Sequence, residues 1–103
     1  MTVKLQVVET DIRQGQDEEI PYALTTTPWG SDPTDVIIKA YDAGASYTDV
    51  TSTVLEGSSS VSGDVITTPV LKSLTIGKDY RIEIQFVTGA KTLECFFMVH
   101  GER

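Results

Sequence analysis

Leu74-Thr75-Ile76-Gly77-Lys78-Asp79-Tyr80 runs without a break into Arg81-Ile82-Glu83-Ile84-Gln85-Phe86. Tyr80, Ile82, Ile84 and Phe86 alternate with Arg81, Glu83 and Gln85, the period-2 pattern of a strand with one dry face. Gly77 marks a turn just before it. A tyrosine at the start of a strand, after Leu74 and a glycine-bearing turn, fits a tyrosine corner, whose ring is buried while its hydroxyl bonds main chain a few residues upstream. A core tyrosine of some other β fold fits the same residues.

Downstream, Thr88-Gly89-Ala90-Lys91 is a tight connection, and Thr92 to Val99 is a final strand paired back as a hairpin. Upstream, Val3, Leu5 and Val7 alternate with Lys4 and Gln6, which predicts a first strand at a sheet edge. The segment from Asp11 to Glu19 is polar with Gly15 at its centre and reads as a solvated turn. Ile20, Tyr22 and Leu24 then alternate with Pro21, Ala23 and threonine, a strand whose proline calls for an edge, a bulge or the strand's start.

Thr27 to Asp35 holds two prolines, a glycine and two aspartates and is a loop by every local signal except Trp29. Val36-Ile37-Ile38-Lys39-Ala40-Tyr41 is β-branched and aromatic, a strong strand closed by a turn over Asp42 to Ser46. Tyr47 to Leu55 predicts a short, weak strand, and Glu56 to Ser60 a surface loop. Val61 to Leu71 is strand material again, interrupted by Gly63-Asp64 and marked by Pro69 as edge or bulge. No stretch carries a capped 3.6-residue apolar stripe, so no helix longer than a turn is expected. About seven short strands at regular spacing predict an all-β, antiparallel β-sandwich in a single domain spanning residues 1–103.

Composition narrows the function. At 103 residues, 40% apolar and 22% charged, the chain supports one core. Its 15 acidic residues against 8 basic ones give a net charge of -7, the wrong sign for phosphate binding, so no nucleic-acid partner is expected. Met1 to Glu9 lacks the apolar run of a signal peptide. No segment approaches the ~20 apolar residues of a membrane span, so cytoplasmic synthesis and no membrane insertion are expected. Cys95 is the single cysteine, which rules out an intrachain disulfide or a thiolate metal cluster.

Catalytic chemistry has little to stand on. His100 and Cys95 are five positions apart on one strand, an odd spacing that points them to opposite faces. Asp32 with Asp35, and Asp42 with Asp49, lack the Asp-x-Asp-x-Asp-Gly spacing of a calcium loop and read as turn-capping residues. The sequence therefore predicts no enzyme, no metal and no cofactor.

The final strand carries bulk on both faces. Leu93, Cys95, Phe97 and Val99 share one parity, and Thr92, Glu94, Phe96, Met98 and His100 the other. Either parity fits inward. Phe96 and Met98 pack against another chain in one reading; in the other, a bulge shifts phase or the N-terminal segment covers them. Trp29 and Tyr47 raise the same alternative from the loops, between an interface anchor and a plug at the end of the sandwich.

From about Glu19 to Arg103 the order is strand, Pro/Asp-rich loop, Val36-Ile37-Ile38, Ser/Gly-rich middle, then Leu74 to Tyr80 and the hairpin. This resembles the small immunoglobulin- or fibronectin type III-like proteins encoded among the structural genes of tailed bacteriophages and prophages. The resemblance implies a disulfide-free Ig-like sandwich, a tyrosine corner at Leu74, Gly77 and Tyr80, and a non-enzymatic virion role in neck, tail, baseplate or decoration. Its partners would be other virion proteins or a second copy, with the protein virion-associated after its synthesis. Antibody-type function is not implied, because the cysteine pair and a tryptophan in the strand Val36 to Tyr41 are missing. The alternative is a carbohydrate- or host-surface-binding module using Trp29 and Tyr47.

Overall fold

The strand alternation around Tyr80 is carried into three dimensions without slippage. In the computed structural model, which describes the main chain of Leu5 and Gln6, then Val8 and residues 11–103, Tyr80, Ile82, Ile84 and Phe86 are each 3% exposed or less. In chain order the strands are β1 (Leu5–Gln6), β2 (Ile12–Gly15), β3 (Ala23–Thr25), β4 (Thr34–Asp42), β5 (Thr48–Asp49), β6 (Leu55–Glu56), β7 (Ser60–Ser62), β8 (Val65–Thr67), β9 (Val70–Leu71), β10 (Asp79–Thr88) and β11 (Lys91–Glu102). A 3-10 turn (Ala43–Ala45) and one helical turn, α1 (Thr51–Val54), are the helical elements among the described residues. The expected strand over Val3 to Val8 lies largely outside the described residues; Leu5–Gln6 is the part seen.

The large sheet runs β1-β11-β10-β4-β5, with β2 also on β11. β10 pairs antiparallel with β11 from Asp79↔His100 to Thr88↔Lys91, the expected hairpin. Both β1 and β2 lie parallel to β11, at Leu5↔Cys95 and from Val99↔Ile12 to Glu102↔Gly15. The smaller sheets are β3-β8-β7 and β6-β9, and Ile20, ahead of β3, makes an isolated antiparallel bridge to Leu71 of β9. One apolar cluster joins Ile66 and Leu71 of these sheets to Ile82, Ile84, Phe86, Cys95, Phe97 and Val99 of the large one. The fold is all-β and sandwich-like.

The parity of β11 is settled by burial. Cys95, Phe97 and Val99 face the core, while Phe96 and Met98 are half-buried on the opposite face. Alternation continues through β11 to Glu102 with no phase shift in its pairing to β10. A slip occurs instead between β10 and β4, where Gln85↔Ile37 is followed by Val87↔Thr34. Asp35 sits in this bulge at φ 52°, a left-handed conformation that aspartate tolerates better than most residues.

Two segments differ from expectation. Asp11 to Glu19, predicted to be a solvated turn, contains β2. Its Gln14 is fully buried, donating from Nε2 to the carbonyls of Leu71 (2.7 Å) and Glu18 (3.0 Å) and accepting from the Tyr22 hydroxyl (2.8 Å). Every hydrogen-bonding direction that matters is used, so a polar side chain survives in the interior. Tyr47 to Leu55, predicted as a weak strand, is split into β5, α1 and β6. The Thr51 amide bonds the Asp49 carboxylate (2.9 Å), and the Thr51 hydroxyl receives the Ala40 amide (3.0 Å). These local side-chain bonds replace the strand ladder.

The segment before β10 is tied at several points. The Thr75 amide donates to the Tyr80 hydroxyl at 2.8 Å, Leu74 is buried and Gly77 has φ 85°. Gly77 donates to the Gly101 carbonyl, and Gly101 to the Lys78 carbonyl, each at 2.9 Å. Gly101 is there because of space: a Cβ would stand 2.4 Å from the Thr75 carbonyl oxygen.

Candidate functional site

Because β4, β10 and β11 alternate in register, their outward residues form cross-strand rows. Tyr41, Arg81 and Met98 make one; Lys39, Glu83 and Phe96 the next; Ile37, Gln85 and Glu94 a third. Phe96 and Met98, two of the residues singled out for an interface, therefore share this outer face. Tyr47 joins them from the loop after the 3-10 turn. The Arg81 guanidinium lies 3.8 Å from the Phe96 ring centroid and 5.7 Å from that of Tyr47, close enough for cation–π attraction. Nε of Arg81 is 2.9 Å from the Glu83 carboxylate, an ion pair without hydrogen-bond alignment.

The loop that delivers Tyr47 is built by charge and capping. The Asp42 carboxylate accepts from Gly44 N–H (3.1 Å) and pairs with Lys78 Nζ (2.9 Å). The lysine and these amide contacts hold its pKa below the ordinary carboxylate value. Ser46 and Tyr47 follow with φ of 55° and 57°. Left-handed geometry costs a non-glycine residue free energy, more so an aromatic one, and here it leaves the Tyr47 side chain outward with the residue 54% exposed. Ile37 is 49% exposed on the same face. Between them, a depression of about 250 Å³ is lined by Ile37, Lys39, Tyr41, Glu83, Gln85 and Glu94.

Trp29 is placed elsewhere. It is half-buried against the core, its amide donates to the Thr26 carbonyl and its own carbonyl accepts from Lys91 Nζ (3.1 Å). It therefore sits by the β10–β11 turn, consistent with a plug at that end. Leu74 and Gly77 lie in the tied segment before β10 and Tyr80 at the start of that strand, outside the rows of the outer face.

The structure does not bring Cys95 and His100 together. Cys95 faces the core, where burial pushes its thiol up to about 11, away from the thiolate a nucleophile needs. His100 Nδ1 is 2.7 Å from the Asp79 carboxylate, but on the outer face, as the odd spacing from Cys95 requires. Among the described residues no cluster of three or more His, Cys, Asp or Glu has a geometry suited to a metal ion. None of their helices is long and apolar enough to cross a membrane.

Sequence reasoning passed over Arg81, Tyr41 and Ile37 as site residues. Their alternation was visible, but which strands lay beside which was not, and the face exists only once β4 and β11 flank β10. No protein-family profile, curated protein or solved structure matches the chain.

Proposed function

We propose that the protein is a non-enzymatic assembly module, an Ig-like sandwich that docks other proteins, or a second copy, through the outer face of its large sheet. The carrying observation is Tyr47, held outward in a strained conformation beside Arg81, whose guanidinium also lies over Phe96 and whose cross-strand neighbour is Met98. Aromatic residues and arginine are enriched at the energetic centres of interfaces. The Ig-like reading is supported by the β4-β10-β11 order, the smaller sheets packed behind it, and the Thr75–Tyr80 bond, which has the form of a tyrosine corner. A virion setting in neck, tail, baseplate or decoration rests on the sequence resemblance.

Sedimentation equilibrium of the protein alone and with candidate partners tests this. Association weakened by Tyr47→Asp and Met98→Asp is the expected result. A monomer at high concentration that binds no partner, or association indifferent to both substitutions, would count decisively against it.

A second reading has one specific support. Tyr41 borders the depression with Glu83, Gln85 and Glu94, a ring beside amide and carboxylate groups of the kind that holds a sugar. Chemical-shift mapping with a glycan panel tests it, and no perturbation across Tyr41, Tyr47 and Glu83 would remove its basis.

A further inference from the structure

Among the described residues, the sandwich is open along one side, between β3 and the strands beside β11. Tyr22 accepts from the Thr68 amide and Thr26 donates to the Asp64 carbonyl, both across the β3–β8 pairing. In an antiparallel ladder the groups of alternate residues point the same way. The N–H and C=O groups of Ala23 and Thr25 therefore point away from β8, to an edge with which no described strand pairs. Pro21 has the same parity as Ala23, so its ring stands where an outward donor would be, as edge prolines do. Beside this edge is an opening of about 160 Å³ lined by Val8, Ile12, Tyr22, Leu24, Ile84 and Phe97. Val8, Ile12, Tyr22 and Leu24 on its walls are half-buried, and Ile84 and Phe97 are buried at its floor.

Charge selects among possible occupants. No charged residue occurs from Ile20 to Ser31, but Asp17, Glu18 and Glu19 precede β3 and Asp32 and Asp64 lie at its far end. Antiparallel pairing of two copies through β3 would bring the acidic start of one strand to the acidic end of the other, on molecules each carrying -7. That repulsion disfavours a second copy.

We propose that this edge receives an extended strand from another protein, with apolar side chains at alternate positions and basic residues at its ends. Main-chain bonds to Ala23 and Thr25 would hold it in register, and its alternate side chains would fill the opening over Ile84 and Phe97. The outer face of the large sheet takes no part, so this site stands or falls independently of that assembly surface.

The probe is a short synthetic peptide of alternating valine and threonine flanked by lysines, added to the full chain with amide exchange followed by NMR. In the free protein the Ala23 and Thr25 amides should exchange rapidly, unlike the bonded Thr26 amide. Peptide at ten times its Kd should slow them about ten-fold. A peptide N-methylated on alternate residues, or one flanked by glutamates, should not. Ala23→Pro removes one outward donor and should abolish protection without changing the far-ultraviolet spectrum. If that variant fails to fold, the N-methylated peptide makes the same test. No protection at saturating peptide, or equal protection by the N-methylated peptide, overturns the proposal. Protection that grows with protein concentration alone assigns the edge to a second copy and overturns it equally.

Discussion

Tyr80 and Gln14 both anchor main chain with a buried polar side chain, yet they differ in how much depends on them. Tyr80 belongs to the strand it begins and makes one bond, to an amide five residues upstream. Gln14 belongs to the large sheet and binds the Leu71 carbonyl in the smaller sheets, 57 positions away, as well as Glu18 and Tyr22. One tie fastens a turn to its neighbour in sequence; the other fastens one layer to another. Removing a partner from a buried network costs more than the bond itself, because the groups left behind have lost water as well.

The largest expected effect is therefore at Gln14. Gln14→Ala leaves the Tyr22 hydroxyl without its buried partner and the Leu71 carbonyl with the Ile20 amide alone, and should destabilise by about 2–4 kcal/mol in denaturant unfolding. A loss no greater than that of Tyr80→Phe would break the contrast. Gly101→Ala comes next, at about 1–3 kcal/mol, because its new methyl meets the Thr75 carbonyl and the tied segment must shift. Tyr80→Phe should cost about 0.5–1.5 kcal/mol, the worth of one ordinary buried bond. If Gly101→Ala and Tyr80→Phe are measured together, their losses should fail to add, since both loosen the same few residues.

The smallest effect is in pH. Asp42 has a folded-state pKa below its ordinary 3.8, chiefly through Lys78. Its contribution is thus complete above that ordinary value and is lost as pH falls through the lower folded value. Lys78 is exposed, so screening keeps this small. Lys78→Met should flatten the acid limb of the stability profile, and an unchanged limb would remove Asp42 as its source.

The same contrast explains what could be read in advance. β10 was legible because its dry face repeats at every second residue, and Val36 to Tyr41 because β-branched residues crowd it. β2 was not. Its one buried anchor is a glutamine among Arg13, Gly15 and Gln16, and a polar residue announces burial only when its partners, here distant in sequence, are known. The α1 turn was hidden similarly, since Thr51 reads as a strand former until Asp49 and Ala40 bond to it. For the candidate surface, Phe96, Met98 and Tyr47 were legible only as candidates, because either parity of the last strand fitted inward, and the intervening Arg81 needed the strand order.

Cys95 gives this molecule an internal clock. With its sulfur in the core and its thiol pushed up to about 11, it has neither the access nor the charge to react while the sheets are closed. Any thiol reagent that labels it must wait for β11 to part from its neighbours. At low reagent the labelling rate then reports the fraction of molecules open, and at high reagent the rate of opening itself. A single unpaired cysteine, with no bridge to make, records how often the sandwich comes apart.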